Sequence, residues 1–414
     1  MAAVRAPPAG ECPTVRAICV SRFSHTPPGT IRETCRHAGQ RIQKGRIDDI
    51  PEDDIPEDDM PADDMPADDM PVMTSEPVQI WVVSDGTAGM RMQAVALADA
   101  LMRARTDWAC EEFTVAPHGV VRALPRLAGW LPGLPLCAAA DSQLHRLPHA
   151  GQFPDIMITC GRRMAGFALA LRRRARAAGT PMRIVHIQDP RVAPRLFDAL
   201  VVPRHDRARG PNVLVTTGSL NRLTLGTIQR AMMEMPSRWL GAARRTAVAV
   251  MLGGDNRRYR VNDGMAAAMG ARLAEFATAN DAQLILLASR RTPAGLVERI
   301  TAALPANRVM LPRDDEPNIY PGILGLAQAT IVTADSVNMA SEAAISGKPV
   351  MIAPWRAATP DNPSGEAGRI RAFHDAMFAA GHTVPLGQTI PSGPFERLDE
   401  MDGLVERLLE LLGR

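Results

Sequence analysis

The sequence predicts an α/β protein: two Rossmann-like, doubly wound parallel-sheet domains facing across a cleft, behind a disordered N-terminal extension. Three observations predict it. From Val78 onward, short apolar runs alternate with helical periodicity, the pattern of a parallel sheet covered by helices. That pattern restarts once, after a helical stretch that runs from Leu223 to Leu240. Ahead of it lies a five-residue repeat, Pro51-Glu-Asp-Asp-Ile and its three successors up to Met70, whose regular proline and paired aspartates forbid a packed core. The expected division is an extension over 1–77, a first domain over 78–222 and a second over 223–414.

Taken in order, residues 79–83 read as a strand, 84–89 as a tight Gly loop and 92–105 as an amphipathic helix. A second strand is expected at 113–116, and a less regular Pro-rich region follows to Phe153. Residues 155–160 make a buried strand ending at Gly161, with a helix over 164–178 behind it. Three short strands at 183–187, 199–202 and 212–215 complete the first sheet. The second sheet opens with a strand at 246–252, then Gly253-Gly254-Asp255-Asn256 and a helix over 263–279. Next come strand 283–288, a helix at 294–303, strand 308–311 and a helix at 318–327. The apolar run from Ile331 to Ala334 leads into Asp335 and Ser336, both good N-caps, and a helix to Ile345 that stops at Ser346-Gly347. Strand 350–353, a helix at 368–380 and an amphipathic C-terminal helix at 399–412 finish the chain.

Composition bounds the function. The formal charge of +2 hides an asymmetry: twelve acids lie between Asp48 and Asp69, while the body from Val78 carries +9. Nearly all the basic residues are Arg, Lys44 and Lys348 being the exceptions. An Arg excess suits anionic ligands or an anionic membrane surface, and equally follows from a GC-rich genome. With 4% aromatics and no interleaving of basic and aromatic residues, single-stranded nucleic acid is not an expected partner. The six Cys are scattered without metal spacing, so no metal site is expected and a reducing, cytoplasmic setting fits. No apolar run reaches transmembrane length, and the N-terminus lacks the apolar core of a secretory signal. Met73 stands just before the regular pattern, so residues 1–72 read as a disordered tail or as the result of an over-long start.

Three loops of the second domain sit at strand C-terminal ends, where open α/β sheets bind ligands. Gly253-Gly254-Asp255 offers backbone for close approach, although Gly-Gly after a strand is commonly just a turn. Ser289-Arg290-Arg291-Thr292 offers two guanidiniums and two hydroxyls suited to a diphosphate, although a double Arg is commonly a solvated face. The helix start at Asp335-Ser336, with Asn338, Ser341 and Glu342 in its first turns, points unpaired N–H groups and a positive dipole end above the sheet. Together they form a candidate diphosphate site, with Glu342 placed to reach a sugar hydroxyl. In the first domain, Asp85 in the Gly loop and Asp189 in Gln188-Asp189-Pro190-Arg191 are the candidates for proton transfer, each also readable as a turn-former. The Gly loop fits neither a Walker sequence nor GxGxxG. His186 reads as a core residue within a strand. His205-Asp206 and His374 lie where either could reach the cleft. The run Arg172-Arg173-Arg174 with Arg176 ends a helix and reads as macrodipole compensation or as contact with a membrane surface.

These motifs resemble a known family. Residues 82–89, 186–191, 210–213, 252–255, 289–293 and 335–342 with Gly347-Lys348-Pro349 look like the mitochondrial fission (elongated-mitochondria type) family of plants and proteobacteria, over roughly 78–412. The resemblance implies a fold similar to GT-B glycosyltransferases, with a nucleotide-diphosphate sugar on the second domain. It implies that Glu342 binds the ribose, and that Ser336, the helix start, Arg290 and Arg291 hold the diphosphate. The chain departs from the family pattern at Thr87 and Met90, which leaves Asp85 as the polar candidate of its first loop.

The leading expectation is a metal-independent glycosyltransferase that binds a nucleotide sugar, without a further cofactor. Its acceptor is not named by the sequence, a lipid-linked one being an option, as is peripheral contact with the inner face of a membrane. A nucleotide-sugar epimerase on the same scaffold, or a non-catalytic adaptor recruiting a partner at a membrane, are the alternatives.

Overall fold

The structure, a computed structural model, describes residues 77–117, 153–241, 245–256, 260–313, 315–316 and 318–414. The acidic repeat, the expected extension up to residue 76 and the Pro-rich stretch 118–152 lie outside the described residues.

Each half is built on a six-stranded, all-parallel sheet. The first contains β1 (Gln79–Ser84), β2 (Ala109–Thr114), β3 (Ile156–Cys160), β4 (Arg183–Ile187), β5 (Ala199–Pro203) and β6 (Val213–Thr216), in the order β2-β1-β3-β4-β5-β6. Helices α1 (Ala88–Ala104) and α2 (Arg162–Ala177) follow β1 and β3. The second half opens with α3 (Leu225–Met233) and α4 (Ser237–Leu240), then runs β7 (Thr246–Leu252), α5 (Asp263–Ala279), β8 (Ala282–Ala288), α6 (Leu296–Thr301) and β9 (Val309–Met310). It continues with α7 (Tyr320–Leu326), β10 (Ala329–Thr333), α8 (Val337–Ala344), β11 (Val350–Ala353), α9 (Arg369–Ala379), β12 (Val384–Pro385) and α10 (Met401–Leu412). Its sheet order is β12-β11-β10-β7-β8-β9, the 3-2-1-4-5-6 order of a dinucleotide-type fold. The strand order therefore reverses between β1 and β3 in one half and between β7 and β10 in the other.

The central strands of both sheets are buried on both faces, which is why they read as continuous apolar runs rather than alternating ones. Along β1, Trp81 and Val83 pack with α2 while Ile80 and Val82 pack with α1. Along β7, Ala247, Ala249 and Met251 face α7 and α8, and Val248, Val250 and Leu252 face α5. Several helices start where a side chain supplies a missing acceptor. Thr224 forms a capping box with Thr227 at α3, and the Asn262 side chain accepts from Met265 N at α5. The single helix expected over 223–240 is two, because Pro236 has no N–H to continue the ladder and instead caps α4. The first Gly loop is shorter than expected, since Ala88 and Gly89 already belong to α1.

The last helix returns to the first half. Leu404, Val405, Leu408, Leu409 and Leu412 of α10 pack against Ile80, Val82, Leu97 and Leu101, so the chain's end covers the sheet that its beginning built. The sequence reading carries 401–412 with the second domain, because periodicity shows that a helix has an apolar face but not which sheet receives it. Glu400, just before α10, accepts hydrogen bonds from the main-chain N–H of Thr217 (2.8 Å) and Gly218 (3.1 Å) and so pins the strand that leaves β6. Two Rossmann-like halves joined by a linker and strapped by a returning C-terminal helix make a GT-B-like architecture.

Leu408 is fully buried in this shared core. Leu408→Ala is expected to lower stability by about 2–5 kcal/mol in urea unfolding; a loss well below 1 kcal/mol would mean that α10 does not belong to that core.

Candidate functional site

At the switch point of the second sheet, the three loops picked out by sequence meet around one carboxylate. Asp335 follows β10, and its side chain is fully enclosed. Its Oδ1 accepts from the Thr333 hydroxyl (2.7 Å) and the Trp355 indole N–H (2.9 Å). Its Oδ2 accepts from Gly254 N (3.2 Å) and pairs with the Arg291 guanidinium (2.9 Å). Thr333 Oγ1 in turn accepts from Gly253 N at 2.7 Å. The close approach that Gly253 and Gly254 serve is thus to the chain itself. A Cβ on Gly253 would stand 2.2 Å from the Asp335 oxygens, and one on Gly254 2.1 Å from the Arg291 carbonyl.

The second loop is equally self-bound. The Ser289 and Thr292 hydroxyls lie 3.1 Å apart, Thr292 Oγ1 receives Ser289 N, and the same hydroxyl is directed at the carbonyls of Leu252 and Gly253. Arg290 and Arg291 are exposed at its tip, Arg291 with its charge met by Asp335. Asp255 closes the neighbouring loop by accepting from Val261 N (3.0 Å) and pairing with Arg260 (2.8 Å), contacts that hold its pKa below the usual carboxylate range.

Ser336 caps α8, its hydroxyl accepting from Met339 N. Two residues on, Asn338 faces the first half, its amide 3.2 Å from where a Cβ on Gly89 would stand. Ser341 is buried and points at the linker: its hydroxyl accepts from Ser219 N (2.9 Å) and donates to Val337 O (3.0 Å). Glu342, the next residue, is part-buried, with Oε2 accepting the Tyr320 hydroxyl at 2.6 Å. Burial pushes its pKa up to about 7, against the opposing pull of that hydrogen bond.

In the first half, the two candidate acids hold their own turns. Asp85 Oδ1 accepts from Thr87 N (3.0 Å), and its other oxygen lies 3.6 Å from Arg163. Asp189 Oδ1 accepts from Arg191 N (2.8 Å), with the Arg191 side chain at 3.5 Å. The Asp189 turn is conformationally demanding, with Gln188 at φ 72° and Arg191 at φ 62°, both in the left-handed region although neither is glycine. Its main chain is held by Asp206, whose Oδ2 accepts from Asp189 N at 3.0 Å.

Between the halves lies a cavity of about 220 Å³. Gln188, His205 and Asp206 line it from the ends of β4 and β5, Ser219 from the linker, and Asn338 and Arg369 from α8 and α9. Arg369 reaches across to Asp206 at 3.3 Å. Of the two histidines that the sequence left open, His205 faces this cavity. His374 is buried in the second half with Nε2 against the Ala334 carbonyl (2.7 Å). His186 is a core residue, as its strand alternation suggests, with Nδ1 2.7 Å from the Thr159 hydroxyl. Of the sequence-picked residues, Asn338 lines this cavity. Ser219 and Arg369 were not legible: a serine in a linker and an arginine opening a helix carry no motif, and only the packing of the halves brings them together.

A profile of the mitochondrial fission ELM1 family matches residues 88–412. The chain belongs to that family. It is 29% identical over 290 residues to the mitochondrial fission protein ELM1 of Arabidopsis thaliana, a match spanning 61% of this chain and 66% of that protein. It is 27% identical over 313 residues to uncharacterized protein RP120 of Rickettsia prowazekii (strain Madrid E), spanning 66% and 83%. Solved structures resembling it include the UDP-GlcNAc 2-epimerase of Methanocaldococcus jannaschii, at 12% identity and TM-score 0.48, covering 81% of this chain and 99% of that one. MurG of Acinetobacter baumannii resembles it at 15% identity and TM-score 0.41, covering 81% and 92%.

Two expectations follow for this family member. Asp335→Ala strips four donors of their acceptor and should cost on the order of 3–5 kcal/mol in chemical denaturation, with Asp335→Asn costing less; equal stability of Asp335→Ala and wild type would remove the carboxylate from its central position. Glu342 holds its proton in the fold up to about pH 7, whereas the unfolded chain releases it near 4.5. Stability from this group is therefore complete below about 4.5 and is lost as pH rises through 7, by roughly 1.4 kcal/mol per unit at most. Glu342→Gln should flatten the fall in melting temperature between pH 5 and 8; a slope unchanged by the substitution would contradict the raised pKa.

Proposed function

We propose that the protein binds a nucleotide-diphosphate sugar at the switch point of the second sheet and transfers its glycosyl group to an acceptor held by the first half. The observation that carries the reading is the junction of β10 and α8. There a capped helix start, a buried hydroxyl-ready carboxylate on Glu342 and the Arg290-Arg291 tip all lie at the C-terminal edge of a sheet wound in the dinucleotide order. The first amides of α8 have no acceptor a turn back, and they favour a diphosphate by hydrogen bond and by dipole. Arg290 adds a free-standing guanidinium on the loop tip, and Arg291 can follow by exchanging Asp335 for the ligand. Glu342 would accept ribose hydroxyls once ionised. With anion binding supplied this way, the leaving diphosphate needs no metal ion.

In the transfer, the acceptor oxygen forms a bond to the anomeric carbon while the bond from that carbon to the diphosphate oxygen breaks. The electron pair leaves with the diphosphate, and the acceptor proton passes to a base on the first half. The epimerase alternative asks for carboxylates free on both cleft walls to move a proton at carbon. Asp85, Asp189 and Asp255 are each engaged by a main-chain N–H group and an arginine, a constraint that weighs on either reaction.

A thermal-shift screen with nucleoside-diphosphate sugars of the four bases tests the reading. A matching ligand at 100 times its Kd stabilises the fold by about 2.7 kcal/mol, a rise of several degrees. Glu342→Ala should abolish most of that rise, and in the wild type the affinity should increase from pH 6 to 8 as Glu342 ionises. No shift with any sugar nucleotide, or full retention of affinity after both Glu342→Ala and Arg290→Ala, would overturn it.

A further inference from the structure

We infer that the cavity between the two halves is a binding site for the hydroxyl-bearing ring of a phosphorylated sugar, read by His205, Asp206 and Ser219. The inference deepens the nucleotide-sugar reading and rests on it for where the rest of a donor would lie.

Three buried polar atoms without a hydrogen-bond partner, His205 Nδ1, Asp206 Oδ1 and Ser219 Oγ, belong to residues that line this one cavity. Leaving such a group unmade costs roughly 1–3 kcal/mol, so three of them on the lining residues of one space favour a polar occupant that side-chain rotation there would let them reach. They come from separate places, the loop after β5 and the linker after β6, and no shared turn explains their direction. Asp206 is 3% exposed and divides its work. One oxygen fixes the Gln188-Asp189 turn through Asp189 N; the other is closed off, 3.3 Å from Arg369 but without an aligned donor. The strained Gln188 backbone that this contact maintains also borders the cavity, where strain is a feature of ligand sites.

The chemistry of the two walls differs and sets the class of ligand. The first half offers a carboxylate oxygen, an imidazole nitrogen and, from the linker, a hydroxyl, the mixed donor and acceptor set that sugar hydroxyls satisfy. Burial pulls the His205 pKa down, against the pull of Asp206, which keeps the ring neutral and able to accept. The second half offers the start of α8, through Val337 and Asn338, and the Arg369 guanidinium, a positive wall for the phosphate side. Met90, Ile187 and Leu220 supply apolar surface for the C–H face of a ring. At about 220 Å³ the space is smaller than the ~300 Å³ at which drug-sized sites begin, so it suits one sugar ring rather than a whole sugar nucleotide.

The test is calorimetric titration of the full chain with nucleoside diphosphates of the four bases, their hexose and N-acetylhexosamine conjugates, and hexose 1-phosphates. Wild type, Ser219→Ala and His205→Gln are compared; both substitutions leave the Ser219 N–H to Ser341 bond in place. The conjugate of the right base should bind at least tenfold tighter than the bare diphosphate. Each variant should erase about tenfold of that margin and leave the bare diphosphate's affinity unchanged. Variants that weaken both ligands equally, or neither, overturn the assignment. Absence of any binding by diphosphates and conjugates sinks the function proposed above and not this site. Hexose 1-phosphates then decide it: binding weakened by both variants upholds the cavity, and no binding of any hexose phosphate overturns it, leaving only water in the space.

Discussion

One buried carboxylate organises the strand-end edge of the second half. Asp335 gathers a hydroxyl from its own strand, an indole from the loop after β11, a main-chain N–H from the loop after β7 and a guanidinium from the loop after β8. An unpaired carboxylate in that place would be costly to bury, and a carboxylate with four donors is not. The consequence is geometric. The glycines at 253 and 254 are small because Asp335 and the Arg291 carbonyl stand where their side chains would be. Once that knot is tied, Ser336 falls at the cap position of α8, and the helix start is aimed at the other half. The direction of α8 therefore depends on a contact beneath it rather than on its own sequence.

A second set of contacts fixes how the halves meet. Ser341, inside α8, receives the linker's Ser219 N, while Glu400 receives Thr217 N and Gly218 N from the other side. The linker is gripped between α8 and the residue that launches α10, which itself packs on the first sheet. Gly218 has no room for a side chain there, since a Cβ would lie 2.4 Å from Leu398. A shift of α8 is thus felt at the linker and at the returning helix together. The ion pair of Asp206 with Arg369, which spans the cavity, is half exposed on the Arg side and contributes modestly. It is the part of the contact a ligand could displace without disturbing the core.

Much of the architecture was legible in the sequence, and for a physical reason. Strands buried on both faces must be apolar throughout, so 79–83, 155–160, 246–252 and 283–288 announced themselves without an alignment. The restart after Leu240 was visible because a second sheet needs its own strand-loop-helix opening. The three loops that meet around Asp335 were legible as loops, because they occur where strands end. Partner choice was not legible. Nothing in Arg291 says that its charge goes to Asp335, nothing in Ser341 says that it faces the linker, and the apolar face of α10 does not say which sheet it covers. These are decided by distances across 40 to 320 residues of chain, and neither propensity nor periodicity carries that information. His205 stood out only as a titratable residue in a loop; that its Nδ1 is buried without a partner is visible only in the fold.

The distribution of charge around α8 then limits how an anion can be held. Arg291 pairs with the residue just before the helix cap, so its charge is already neutralised by a fully enclosed Asp335. An arriving diphosphate that drew Arg291 away would leave that carboxylate with its hydroxyl, indole and amide donors but without its countercharge. Such an exchange is favourable only if the new pair and the helix dipole return more than the old pair gave. Glu342 poses the converse demand: it sits protonated or half-protonated near neutrality against Tyr320, and a hydroxyl donor that prefers its ionised form must also take over from that tyrosine. Both groups are held by internal partners that a ligand has to replace. Binding at this edge therefore competes with the protein's own hydrogen bonds, and a ligand able to engage Arg291 and Glu342 at once has the advantage over one that reaches either alone.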